Sequence, residues 1–121
     1  MNWIVTVPKT TSWETYKKEL WDVEHESLIM NYRVRYFPKK MQIGDRMYIV
    51  HDGYVKGWMK IVGLVDSDGF TCRTTGIYWG EGKFIQRSGK FHEVVGIRMK
   101  GFRGVREFSE LELIEKREKG G

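Results

Sequence analysis

Cationic and aromatic side chains recur together along this chain, and the chemistry open to them is stacking on flat rings and attraction of phosphate. Trp21 ends a helical stripe of Trp13, Tyr16 and Leu20, beside an irregular stretch from Asp22 to Lys40. Its indole is either a stacking wall or a core ring, since Trp is commonly found inside. Arg33 and Arg35 share one face if their segment is extended, where they suit phosphates or plain solvent. Trp79 stands beside Gly80, with Lys83, Arg87 and Lys90 following. An exposed ring in such a basic loop suits a single strand. Trp3, Tyr48 and Trp58 fall in strand interiors and are expected in the core. Arg98, Lys100, Arg103 and Arg106 precede Glu107, Glu110 and Glu112 and read as a solvated mixed face.

Other chemistries find little support. His25, His51 and His92 are far apart and carry no metal-ligand spacing, so no metal site is expected. Cys72 lies among Thr71, Arg73 and Thr74 in an apparent strand, a place for an inert thiol without a base beside it. Gly80-Glu81-Gly82 lacks the strand–loop–helix setting of a phosphate loop. Asp66 and Asp68 flank a turn, where Asp belongs for its own sake. No catalytic residue and no cofactor is expected.

Composition narrows the partner. The 121 residues carry 21 Lys and Arg against 16 Asp and Glu, and 14% are aromatic. That combination of net charge +5 and many rings makes nucleic acid, DNA or RNA, the leading partner. Apolar runs such as Met47-Tyr48-Ile49-Val50 are too short to span a bilayer, so no membrane partner is expected. The start, Met1-Asn2-Trp3-Ile4-Val5, lacks the pattern of a secretory leader, and one cysteine makes no internal disulfide; a cytoplasmic protein is expected.

The elements that must position these side chains are short. Trp3 to Val7 alternates up to Pro8 and reads as a strand. Thr11-Ser12-Trp13-Glu14 fits a capping box, which predicts a helix from Ser12 to about Trp21. Glu24 to Met30 suggests a second short helix. Met41 to Asp45 reads as a turn with Gly44 at positive φ. Arg46 to His51 and Val55 to Val65 form a hairpin about Asp52-Gly53. Asp66-Ser67-Asp68-Gly69 reads as the next turn, followed by strands at Phe70 to Tyr78 and Phe91 to Lys100. Lys83 to Arg87 is a short strand or a loop excursion, and Ser109 to Ile114 a closing element. The sum is a small, strongly curved α+β sheet or pseudo-β-barrel of five to six strands with one or two helices. Residues 1–115 are expected to form a single domain and 116–121 a frayed charged tail.

Several of these segments together resemble the EVE family of the PUA-like superfamily, which is related to the ASCH and YTH modules. The resemblance rests on the opening strand with Ser12-Trp13-Glu14, on Trp21-Asp22, on Asn31-Tyr32-Arg33-Val34-Arg35, on Met41-Gln42-Ile43-Gly44-Asp45 and on Gly57 to Val62. It covers roughly residues 2–65. An insertion separates Trp21-Asp22 from Asn31, and Val34 stands where the family has Ala. The resemblance implies a PUA-like barrel that holds a modified base, flipped from its strand, in an aromatic pocket. Trp21, Asn31 and Tyr32 would line that pocket, with Thr10 and Ser12 at its border, and Lys9, Arg33 and Arg35 would hold phosphates. Trp79, as a further ring, and Lys83 and Arg87, as further phosphate contacts, lie outside the resemblance and join the site on composition alone. Asn31 is equally at home as a turn residue. Two other readings stand beside this one. An ASCH-like enzyme for a modified nucleoside would use Lys9, Thr10 and a carboxylate such as Glu14. A protein–protein interaction domain would use none of them.

Overall fold

Alternation of apolar and polar residues builds one sheet here, and among the described residues one amphipathic helix covers part of it. The structure, a computed structural model, describes residues 1–71 and 76–109. The order is β1 (Asn2–Thr6), α1 (Trp13–His25), β2 (Met30–Val34), β3 (Arg46–His51), β4 (Tyr54–Thr71), β5 (Tyr78–Glu93) and β6 (Arg106–Glu107). The six strands lie in the order β2-β5-β4-β3-β1-β6, as a small α+β sheet that is not closed into a barrel. All pairs are antiparallel except β1 with β3, whose parallel partnership requires the crossover that α1 and β2 supply.

Both faces of the sheet are covered. Trp3 and Val5 point to one side, with Met47, Ile49, Met59, Ile61 and Ile85, and meet Tyr16, Leu20 and Val23 of α1. Ile4 points to the other, with Tyr48, Val50 and Val55, under Ile97, Met99 and Phe108. Tyr16, Leu20 and Val23 recur at helical spacing, so burying them is what holds α1 down. Among the described residues no helix is long and apolar enough to cross a membrane.

The hairpin about Asp52-Gly53 and the turn at Gly44, with φ of 98°, stand as expected. Four local expectations differ. Ser12, not Thr11, caps the helix, accepting from the Thr15 amide at 3.1 Å. The helix then runs on to His25, which absorbs the start of the expected second helix. Asp66 to Gly69 makes no turn but continues β4, because Asp66, Ser67 and Gly69 pair with Lys83, Gly82 and Gly80 of β5. Beyond Glu93 the expected strand to Lys100 gives way to irregular chain, held by a bridge between Tyr54 and Arg98 and by backbone bonds that pair Val94 with Lys56, Val55 with Ile97 and Met99 with Gly53. Cys72, most of the Ser109 to Ile114 element and the 116–121 tail lie outside the described residues.

Asp45 fastens the first strand to this frame. Its carboxylate accepts from Trp3 Nε1 and the Gln42 amide, each at 2.9 Å, and from the Met1 amino group at 3.2 Å. Burial pushes the carboxyl up, but these bonds and the ammonium charge outweigh it and hold it below the usual carboxylate range. The folded group therefore binds its proton less readily than the unfolded one. Its contribution is complete above pH about 4 and is lost as pH falls through the depressed folded value. Asp45→Asn is expected to cost about 2 kcal/mol at neutral pH and to flatten the acid limb of the stability curve, as read by urea melts from pH 7 to 3. An unchanged acid limb would remove Asp45 from that role.

Candidate functional site

A shallow pocket of about 160 Å³ opens where α1 crosses the end of β5, lined by Trp13, Lys17, Leu20, Trp21, Glu24, Phe91 and Glu93. The five helical residues form one stripe by their spacing, and Phe91 and Glu93 share a face of β5. Trp13 organises the inner wall: its ring centroid lies 5.8 Å from Tyr16, 5.7 Å from His51 and 6.0 Å from Phe91. His51 Nε2 stands 2.7 Å from the Thr11 carbonyl oxygen, so that nitrogen carries the proton and pins the entry of α1 to β3. Lys56 places its ammonium 5.3 Å from the centre of the Trp13 ring. Phe91 fits because Gly57 on the neighbouring strand has no side chain; a Cβ there would lie 2.4 Å from the Phe91 ring and 2.3 Å from the His92 carbonyl oxygen.

Trp21 forms the outer lip and is 58% exposed. The His25 ring, one turn on, stacks against it with centroids 3.8 Å apart and planes 13° from parallel. His25 Nδ1, 2.9 Å from the Trp21 carbonyl oxygen, fixes that imidazole in turn. An exposed indole is thus held in one orientation before anything binds.

The remaining candidates do not gather at this pocket. Asn31 and Tyr32 are neighbours on a strand and so point to opposite faces. Asn31 Oδ1 accepts from Gln86 Nε2 at 3.2 Å, while Tyr32 packs half-buried against the helix-side core. Burial pushes the Tyr32 hydroxyl's pKa up, with Arg87 pulling the other way. Thr10 and Ser12 lie exposed at the start of α1, about 13 Å along the helix from Trp21 by its rise per residue. Lys9 pairs loosely with Asp52 at 3.6 Å, both side chains largely exposed. Trp79 lies on β5 opposite Phe70, and its side chain is outside the described residues.

Arg33, Arg35 and Lys83 stand together at the far end of β2, about 25 Å of strand from Phe91. Arg33 and Arg35 line two adjoining grooves. Arg33 Nη2 donates to the Glu81 carbonyl, and Lys83 Nζ pairs with Asp66 while standing 5.6 Å above the Phe37 ring.

Arg87 is the largest departure from expectation. It is only 3% exposed and sits inside, at the same strand parity as Ile85, rather than on a phosphate-facing surface. Nη1 donates to the Tyr16 hydroxyl at 3.3 Å, Nε has no partner, and no carboxylate among the described residues lies within ion-pairing distance. A buried cation with no acid beside it among the described residues is a net cost. Arg87→Met is therefore expected to raise stability by about 1 kcal/mol in denaturant melts. A loss above about 2 kcal/mol would mean that Nε is satisfied in solution.

Trp58, expected in the core, is a half-buried ring on the face away from α1. His92 stacks on it at 3.8 Å, 8° from parallel, and the Arg46 guanidinium lies 4.2 Å from its centre. Burial, then the charges of Lys90, Arg46 and Lys60, lower the His92 pKa against a small opposing pull from Glu24, so the imidazole is neutral at pH 7. Among the described residues no group of three His, Cys, Asp or Glu is placed to hold a metal. Comparison of the chain with protein-family models, with curated proteins and with solved structures yields no match.

Proposed function

We propose that this chain binds nucleic acid and reads one base, extruded from its strand, in the pocket between α1 and β5. The observation that carries the reading is the pocket itself: about 160 Å³ between Trp13, Trp21 and Phe91. A cavity of roughly 150 Å³ takes one benzene-sized ring, so the space has room for one flat ring. Stacking on Trp21 supplies affinity whatever the base, while the carboxylates of Glu24 and Glu93 are acceptors for exocyclic amino groups. Cytosine and adenine therefore fit better than thymine or uracil. The apolar wall of Leu20 and Phe91 suits a methyl group on the base, which is the modified-base reading. Lys17 at the rim supplies a contact to a flanking phosphate.

A PUA-like, EVE-like fold is part of the same proposal. It is supported by the strand leading to a helix entered through Ser12-Trp13-Glu14, the Gly44-Asp45 turn before β3, and the predominantly antiparallel sheet. Titration of fluorescent single and double strands carrying cytosine, methylated and hydroxymethylated cytosine or methylated adenine, at two salt concentrations, tests the function. A preference for one amino-bearing base, with affinity falling steeply in salt, is the expected outcome. Binding that ignores base identity would remove the pocket from the reading, and no binding at low salt would end it.

A further inference from the structure

The second groove at the end of β2 differs from its neighbour in charge. The larger of the two, about 770 Å³, is lined by Arg33, Arg35 and Lys83 but also by Asp66 and Glu81. The other, about 420 Å³, runs between the end of β2 and the segment leading into β6, along the side of the sheet that stays open. Its lining includes Arg33, Arg35, Tyr36 and Arg103, and none of its lining residues is acidic. Among the described residues Arg35 and Arg103 make no ion pair. Arg33 is set in advance: its guanidinium lies over β5, where Gly82 leaves room, and the Glu81 carbonyl accepts from Nη2. A Cβ at Gly82 would come within 2.8 Å of Arg33 Nε. Tyr36, beside them, is 73% exposed.

We infer that this open seam is a site for a phosphate monoester joined to an aromatic base: a nucleotide, either free or at the phosphorylated end of a strand. A groove lined by three arginines and no acidic residue matches a monoester, with its charge near −2 and three terminal oxygens, better than an internal diester with one charge. Tyr36 offers its face to the attached base. The site is separate from the α1–β5 pocket and does not depend on a base being read there.

The test is isothermal titration of the intact chain with inorganic phosphate, adenosine monophosphate, and one short oligonucleotide prepared with a phosphate or a hydroxyl at each end in turn. A phosphorylated end that binds at least tenfold tighter than its hydroxyl counterpart supports the site with a strand end as its source. Adenosine monophosphate that binds as tightly as the phosphorylated strand supports it with a free nucleotide as the source. In either case Arg103→Glu abolishes the preference, and Tyr36→Ala weakens the nucleotide several-fold but not inorganic phosphate. Arg103 and Tyr36 are exposed, so circular dichroism should show both variants folded. Equal affinity for phosphorylated and hydroxyl ends, with no saturable binding of the mononucleotide, overturns the site even if the oligonucleotide itself binds.

Discussion

Trp21→Ala is expected to weaken binding of the preferred oligonucleotide by roughly five- to a hundredfold, the 1–3 kcal/mol that one base–aromatic stack contributes. The melting temperature should stay within about 2 °C, because an exposed side chain on a helix face takes little packing with it. The two readouts must be taken together. The indole is 58% exposed and meets His25 on a neighbouring turn, so its loss opens no cavity in the core beneath Tyr16, Leu20 and Val23. The dependence of affinity on salt should also persist, since the stack carries no charge and the phosphate contacts lie elsewhere. Trp21→Phe, which keeps a flat ring, should recover a large part of the loss. A variant that binds as well as the parent chain would show that the ring is merely surface. One that also melts early would make it structural.

Trp13 calls for a different expectation, although it lines the same pocket. It contacts Tyr16, His51 and Phe91, so truncating it disturbs the fold and the pocket at once. Binding and stability would then fall together and discriminate nothing. Trp21 is the informative position because it is the wall that packing does not need.

What was legible in the residues follows from how local each determinant is. The β3–β4 hairpin was plain, since Asp52-Gly53 sits between alternating runs and the turn decides the register. Helix α1 was plain too, but its cap was not. Thr11 and Ser12 both have a hydroxyl, and the choice is made by His51, forty positions away, whose ring takes the Thr11 carbonyl. Asp66-Ser67-Asp68-Gly69 reads as a turn in isolation. It stays in a strand because β5 pairs with it and Lys83 meets the Asp66 carboxylate. Ser88-Gly89 likewise remains within β5, where Ser88 Oγ donates to the Leu28 carbonyl at 2.7 Å. In each case a long-range partner overrides a local preference.

The site divides the same way. Trp21 could be singled out from its place at the end of a stripe, whereas Phe91 had no local mark. Its role comes from Gly57, thirty-four positions earlier and adjacent only once β4 and β5 pair. The burial of Arg87 did have a signal: it shares strand parity with Ile85, which a periodicity of two assigns to the core. Basic residue type alone points the other way, to the surface. Asn31 and Tyr32, taken jointly from a family string, are separated by the same rule, because adjacent residues on a strand cannot line one wall.

Gly57→Ala should be the most damaging single methyl in the described chain. Its Cβ would stand 2.3 Å from the His92 carbonyl oxygen and 2.4 Å from the tip of the Phe91 ring, distances that nothing tolerates without movement. The ring can swing away; the carbonyl belongs to the β4–β5 ladder, where Gly57 is paired with Glu93 and Trp58 with His92. Relief therefore means breaking register at the end of β5, and overpacking of this kind costs about 3 kcal/mol. For a chain of this size that lowers the melting temperature by on the order of 10 °C. Gly80→Ala, at a strand position with no atom within 4 Å of the added carbon, should change it hardly at all. The double variant with Phe91→Ala separates the two obstacles. If the ring were the main clash, removing it would restore most of the lost stability. Because the backbone oxygen is as close and cannot yield, less than half should return, and base binding should stay weak with the wall of the pocket gone. Full recovery in the double variant would show instead that the β4–β5 backbone gives way easily at this point, and that Phe91 alone requires the glycine.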